Sequence, residues 1–420
     1  MAAILFIAFV VFLVLGIPVG IVLALSSTAA IFSAGYPLTV ISQRFFASLD
    51  SFPYMAIPLF MLAGSIMAHG GITRRIIDFS LSLVGGIRGA LAHVVATSGI
   101  MLGGISGSGV ADAAALGSIM VPEMKRRNYD LGFSAALVAA SGSIGLIIPP
   151  SIALIIYGVS TNTSIGDLFL AGIIPGVLIG LLFLIYSYFV AKKRNYPVEA
   201  SFSWSNVWTT FKKAALALLM PVIIIVGIRG GMFTATEGGA IISVYAFIIS
   251  MFVYREIKLK DLPKIFFDAA LSTAVISTII AATSLFGWLL SSEQIPQKAA
   301  GFLLGLTDDK FLLLLLINFI LLVCGMFLDS GPAILLLSPI LAPVAMSLDV
   351  NMVQFGLIMV INLTIGLLTP PVGTAMYVAS NISGVPILQL TKKLVPFWLI
   401  MIFVLLLVTY VPQLTTMIIK

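Results

Sequence analysis

Glycine and serine crowd the segment Gly103-Gly-Ile-Ser-Gly-Ser-Gly-Val-Ala-Asp112, and Asp112 closes it. Ser106 and Ser108 offer hydroxyls, and the backbone between them offers carbonyls. An all-oxygen donor set of this kind suits a hard cation or a polar substrate. Close helix packing through small residues is the competing account of the same serines. Asp112 can act as a ligand, or it can serve the start of a helix, where a carboxylate complements free N–H groups. A second acid, Asp329, stands in Gly325-Met-Phe-Leu-Asp-Ser-Gly-Pro332, amid apolar sequence. An acid in such surroundings marks a functional site or caps a helix.

Two further segments offer backbone. In Ala140-Ser-Gly-Ser-Ile-Gly-Leu-Ile-Ile-Pro-Pro150, the two prolines have no N–H to give the carbonyls four residues back, those of Gly145 and Leu146. In Asn362-Leu-Thr-Ile-Gly-Leu-Leu-Thr-Pro-Pro-Val-Gly-Thr374, Pro370 and Pro371 free the carbonyls of Gly366 and Leu367 in the same way. Bare carbonyls in a membrane cost several kcal/mol each. A dehydrated sodium ion would satisfy them, aided by the negative end of the half-helix. At least two sodium sites are therefore expected. Ser106, Ser141, Gly145, Leu146, Ile148 and Pro149 are the candidate ligands of one, and Gly325, Gly366, Leu367 and Thr369 of the other. Candidate substrate contacts are Ser106, Ser108, Asp112, Asp329, Asn362, Thr369 and Thr374. A kink without a ligand is the plainer account of either proline pair.

The chain that carries these segments has 420 residues, 60% hydrophobic and only 9% charged, with a mean hydropathy of +1.18. Soluble chains carry about 25% charged residues. Apolar blocks of about 18 residues or more recur, long enough for a bilayer core of roughly 30 Å. The fold class is all-α, polytopic and embedded in a lipid bilayer. One cysteine, Cys324, permits no internal disulfide, and two distant histidines, His69 and His93, make no zinc pattern. The net charge of +6 sits in short loops, which reads as membrane topology and not as nucleic-acid binding. No Ser–His pair on facing helices and no facing pair of intramembrane acids supports an embedded enzyme. The opening stretch MAAILFIAFVVFLVLGIPVGIVLAL lacks a basic n-region and is too long for a signal-peptide core, so it is expected to be the first membrane helix.

One constant shift lays Gly104 on Gly325, Pro122 on Pro343, Gly145 on Gly366, Pro149-Pro150 on Pro370-Pro371 and Pro175 on Pro396. Prolines and glycines set backbone shape, so the common register points to a duplicated structure. Cytoplasmic loops collect Lys and Arg. With Arg74-Arg75, Lys125-Arg126-Arg127, Lys192-Lys193-Arg194, Lys212-Lys213, Arg255 through Lys264, and Lys392-Lys393 all inside, residues 88–124 leave and re-enter the same side as a re-entrant hairpin. Residues 311–347 form its counterpart from the other side, and 129–158 and 353–379 are broken helices. The expected organisation is a first inverted repeat over 1–191, a linker with a crossing helix (212–231) over 192–235, and a second inverted repeat over 236–420. The N-terminus is expected in the cytoplasm and the C-terminus in the periplasm. Asp308 and Asp309 are expected to be solvated at a segment end, and Thr234 with Glu237 to cap a helix. Paired hairpins and broken helices of opposite orientation are an alternating-access architecture.

The strings GGISGSGVADAAALGSIMVPEM, SGSIGLIIPPS, GMFLDSGPAILLLSPILAP and GLLTPPVG resemble the large membrane subunit, the M or DctM type, of tripartite ATP-independent periplasmic (TRAP) transporters. The resemblance covers essentially the whole chain. It implies a sodium-driven importer of organic acids in the bacterial inner membrane, with an elevator mechanism. It also implies two partners, a small four-helix membrane subunit and a periplasmic substrate-binding protein. The small subunit is expected to be a separate chain, because this one begins directly with the large subunit. Overall likeness favours sialic acid as substrate, with a C4-dicarboxylate next. The hairpin-one serines, Asp112, the Pro-Pro stretches, Asp329 and Thr369 match the family's cation- and substrate-binding regions. A self-sufficient sodium–carboxylate symporter shares the same physics and is the nearest alternative. A passive channel is disfavoured, because two off-axis hairpin sites suit coupled transport better.

Overall fold

The computed structural model describes residues 1–199, 201–307 and 309–419; Asp308 lies outside the described residues. The first apolar block is not one helix. It forms α1 (Ala2–Val14) and α2 (Val19–Ser33), separated where Gly16 takes a positive φ of 76° and Pro18 restarts the chain. The two lie antiparallel along one long helix of the later chain. Met1 approaches Glu293 at 3.8 Å, Phe6 and Phe9 meet Phe286, and on the way back Gly20 reaches Ile279 and Tyr36 reaches Trp288. At 1.5 Å per residue α1 is about 20 Å long, too short to cross.

The chain continues through α3 (Thr39–Leu49), α4 (Ala56–His69) and α5 (Ile72–Val84) to the first hairpin, α6 (Ala90–Ser106) and α7 (Gly109–Arg126). Gly107, at φ 65°, makes the turn that a side chain would resist. The first broken helix is α8 (Leu131–Ser143), one 3₁₀ turn at Ile144–Leu146, and α9 (Ile152–Thr161). Asp130 caps the former by accepting from the Phe133 N–H at 2.6 Å, and Ser151 caps the latter by accepting from the Leu154 N–H at 3.2 Å. Long helices follow: α10 (Ile165–Arg194), α11 (Trp204–Arg229), α12 (Ala235–Ile248) and α13 (Leu262–Ser292). The expected capping box of Thr234 and Glu237 opens α12. The crossing helix begins at Trp204, eight residues earlier than the apolar pattern suggests, because Val207 and Ala214 pack on Phe79 of α5. After α14 (Ile295–Leu306) come the second hairpin, α15 (Lys310–Phe327) and α16 (Ser330–Ser347), and the second broken helix, α17 (Met352–Gly366) and α18 (Thr374–Ser383). The chain ends in α19 (Ile387–Tyr410) and α20 (Gln413–Thr416).

Polar ties define two faces. On the basic face, Arg75 pairs with Glu256 at 3.1 Å, Arg127 with Glu199 at 3.0 Å, and Arg194 and Lys393 both with Asp130, at 2.8 and 3.3 Å. Burial pushes the Asp130 carboxyl up, but the Arg194 guanidinium, the Phe133 N–H and Lys393 outweigh it and hold it below its ordinary value. On the opposite face, Lys310 donates to the Asp349 carbonyl at 3.4 Å and Tyr410 to the Phe311 carbonyl at 3.0 Å. The first hairpin thus opens on the basic face and the second on the other. Eight helices among the described residues are long and apolar enough to cross a membrane. Both arms of the second hairpin meet that criterion by length, yet its tip stops at mid-depth, beside Ile279 of α13 and the tip of the first.

This geometry puts the N-terminus on the face opposite the basic clusters, where the sequence placed it on their side. Met1 lies by Glu293, at the end of α13 remote from the basic clusters. Splitting the first block into a hairpin changes the number of crossings by one, and so moves the N-terminus to the other face.

Candidate functional site

A cavity of about 530 Å³ lies where three chain breaks converge. Gly107 and Ser108 of the first hairpin and Asp329–Pro332 of the second come from opposite faces, and Pro18–Ile21 of the N-terminal hairpin joins them. Ile276 and Ile279 of α13 close one wall, and Leu146 and Ile152, flanking the first Pro-Pro break, close another.

Beside it, the first tip meets the first broken helix through glycine. A Cβ on Gly103 would come within 3.0 Å of the Gly145 Cα, and one on Gly99 would press on the Ser141 carbonyl. In lipid, where apolar burial drives little, such close backbone contact is a main source of helix association. The approach brings Asp112 to Gly145. Ser106 Oγ donates to Asp112 Oδ1 at 2.6 Å and accepts from the Ser108 N–H at 3.2 Å. Asp112 is only 3% exposed, and its Oδ2, turned toward Gly145, has no hydrogen-bond partner among the described residues. Ser141 Oγ, one turn earlier on the same helical face, is also buried without a partner. Asp112 makes no hydrogen bond to the backbone of α7, though it stands in the first turn of that helix, where a carboxylate complements the dipole.

Asp329 behaves differently. It is the N-cap of α16, accepting from the Ser330 N–H at 2.9 Å, and it is exposed to the central cavity. Cap and cavity wall are one residue.

The carbonyls expected to be bare are only partly so. Leu146 O accepts from Ser151 Oγ. Gly366 O accepts from the Thr369 N–H at 2.9 Å, and Leu367 O from the N–H groups of Ala375 and Met376 at 3.2 and 3.4 Å. A downstream hydroxyl, a tight turn and the N-terminus of the next half-helix supply these donors. The Gly145 carbonyl alone of the four receives no donor among the described residues. Ile148 gives its N–H to Ile144 O at 3.1 Å, and Pro149 follows it at the break. In the second half, a Cβ on Gly366 would fall on the backbone of Gly325, and Val372 N–H bonds Met326 O at 3.2 Å, locking tip to break. Thr369 Oγ1 back-bonds to Ile365 O at 2.7 Å, whereas Thr374 Oγ1 is buried and unpartnered among the described residues.

Asn362 is fully buried and does not line the central cavity; it donates to Asn318 Oδ1 at 2.7 Å while Asn318 donates to Thr409 Oγ1 at 3.1 Å, and its own Oδ1 is buried without a partner among the described residues. This network ties α15, α17 and α19 together. Its alternation with apolar residues in sequence did not separate a helix–helix bond from a ligand contact. The residues missed are Pro18–Ile21 and the α13 wall; the Gly16-Ile-Pro18 interruption was the available signal.

The profile described as tripartite ATP-independent periplasmic transporter, DctM component, matches residues 6–414. The chain belongs to this family. It is 41% identical over 401 residues, 95% of this chain and 94% of the other, to the sialic acid TRAP transporter large permease protein SiaM of Vibrio cholerae. It is 42% identical over 410 residues to the isethionate TRAP transporter permease protein DctMQ of Oleidesulfovibrio alaskensis, covering 96% of this chain but 64% of that one. The C4-dicarboxylate TRAP transporter large permease protein DctM of Pseudomonas aeruginosa is 38% identical over 369 residues, 88% of this chain and 86% of its own. Among solved structures, the YdaH transporter of Alcanivorax borkumensis superposes with a TM-score of 0.63 at 16% identity, covering 89% of this chain and 88% of its own. MtrF of Neisseria gonorrhoeae does so at 0.59 and 14%, over 89% and 83%. These two show a shared transporter fold. In this DctM-family permease, then, the converging tips and the Asp112 pocket sit at the centre of a multi-span membrane transporter.

Proposed function

We propose that this permease imports an organic anion across the bacterial inner membrane, driven by sodium, with the basic face in the cytoplasm. The observation that carries the reading is the Asp112 pocket: a buried carboxylate oxygen, a buried hydroxyl on Ser141 and an undonated carbonyl on Gly145, directly behind the tip that lines the central cavity. Three oxygens, one charged, suit sodium, which binds through hard oxygen donors. A second sodium is assigned to the Gly325–Gly366 junction, where Thr374 Oγ1 waits unpartnered. The anion occupies the 530 Å³ cavity, met by Ser108, by the Ser330 hydroxyl and by the N-terminus of α16.

The printed names of the relatives make sialic acid the first candidate, then a C4-dicarboxylate or isethionate. The two inverted repeats, 1–191 and 236–420, contribute one hairpin and one broken helix each to a body that moves as an elevator against a frame including α1–α5 and α11–α14. A small four-helix membrane subunit completes the frame, and a periplasmic binding protein delivers the anion. In proteoliposomes holding both membrane subunits, uptake of labelled sialic acid from its binding protein is expected to stop when potassium replaces sodium. Uptake that continues in potassium, with no proton gradient imposed, sinks the coupling.

A further inference from the structure

A second cavity, of about 250 Å³, runs between α4, α6, α7 and α13. Its inner end holds Ser106, Ser108 and Asp112; Met61, Ser108 and Ile152 are shared with the central cavity. Its outer end holds Thr73, Asp268, Ala269 and Ser272. That end points to the basic face, since Ser65 Oγ bonds the Ile265 carbonyl at 3.1 Å and Lys264 stands just before it in the first turn of α13. Its only charged lining residues, among those described, are Asp112 and Asp268. The nearby Arg75 is turned away, held by Glu256 at 3.1 Å and by the Gly71 carbonyl at 2.9 Å. Arg74 and Lys264 are exposed on the face outside. Asp112 Oδ2, buried and without a partner among the described residues, marks the inner end as a place for a cation.

We infer that this cavity is a cation-only route from the Asp112 pocket to the basic face, with Asp268 the residue that draws sodium to its mouth. The inference rests on the sodium-coupled reading above. An acid at each end lowers the energy of a cation along the path and raises that of an anion. The organic anion and the sodium ion therefore share the tip of the first hairpin but leave by different doors: the anion by the central cavity, the cation by the smaller one.

Labelling tests this without transport. Cys324, the chain's one cysteine, is replaced by serine, and Ser272→Cys is introduced in the complex with its small subunit, reconstituted so that the basic face is accessible. A quaternary-ammonium thiosulfonate and an anionic sulfonate thiosulfonate of similar size are compared, each rate divided by its rate with a free thiol. The cationic reagent is expected to react at least tenfold faster, and adding Asp268→Asn is expected to cut that preference at least threefold. Thr73→Cys serves as the same probe should Ser272→Cys fail to assemble. Equal normalised rates, or a preference that Asp268→Asn leaves intact, overturn the route. Sodium-independent uptake with the preference intact would instead overturn the coupling and leave an acid-lined cavity of another use.

Discussion

Asp112 leaves one carboxylate oxygen facing a glycine with nothing to accept from, and Asp329 spends one of its oxygens on the Ser330 N–H. The two acids therefore call for different substitutions. Asp112→Asn keeps the acceptor for Ser106 and removes a buried charge whose desolvation is costly. It is expected to leave thermal stability in detergent unchanged or higher, while uptake falls more than tenfold and half-saturation by sodium rises. A structural acid would show the reverse, lost stability with sodium dependence unmoved. Asparagine caps helices as well as aspartate, whereas alanine costs about 1 kcal/mol, so Asp329→Asn should retain stability and Asp329→Ala lose about that amount. These oxygen-bearing residues were legible because Gly, Ser and Asp stand out in apolar sequence. Their partners were not. The Pro-Pro rule names the carbonyls that lose an N–H, but Ser151, Ala375 and Met376 return to Leu146 and Leu367 only through the folded turn. Sequence likewise shows Asn362 as a polar residue in a helix, but not the Asn318 that its amide N–H meets.

The elements hold together where backbone touches backbone. Gly103 meets Gly145 at the first junction and Gly325 meets Gly366 at the second, so three of the four landmark glycines are contact points, while Gly104 faces Pro221 of α11 and its neighbour Gly103 makes the approach. Each hairpin tip is fastened to its own broken helix. Gly366→Ala places a Cβ on the Gly325 backbone, which cannot retreat as a side chain could, and overpacking of that kind costs about 1–3 kcal/mol or more. Gly287, within α13, has no atom within 4 Å of its Cβ position, and there alanine should gain up to about 1 kcal/mol in helix propensity. Thermal midpoints in detergent should move in opposite directions for the two variants; movement together would mean that the close approach at Gly366 is not holding the tip. Hairpins and broken helices were readable because two copies of the pattern support each other. The N-terminal hairpin has no such echo, and a run of apolar letters does not distinguish a span from two short helices folded back.

With the basic face in the cytoplasm, as proposed, that one break decides on which side the N-terminus lies. The two halves are pinned to each other on the basic face, where Asp130 takes Arg194 at the end of α10 and Lys393 of the second half, and this face carries the loops that the positive-inside rule sends to the cytoplasm. Between Met1 and Arg74-Arg75 only α4 runs from one face to the other, since α1 descends to the level of Ile279 and α2 climbs back beside it. In the proposed orientation a single crossing before a cytoplasmic loop would leave Met1 outside, next to Glu293 at 3.8 Å. In a Cys324→Ser background, Ala3→Cys should react with a membrane-impermeant maleimide in spheroplasts, while Asn195→Cys, beside Arg194 on the basic face, should react only after permeabilisation. Protection of Ala3→Cys in intact spheroplasts would restore a single spanning first helix and remove Pro18–Ile21 from the cavity wall. Labelling from outside would leave the central cavity bounded by three hairpins, two of them moving in the elevator reading and the third fixed to α13. The tips of the moving pair would then slide past Gly20, where a Cβ would already come within 3.0 Å of Ile279 Cγ1, so the fixed tip has no room to follow them.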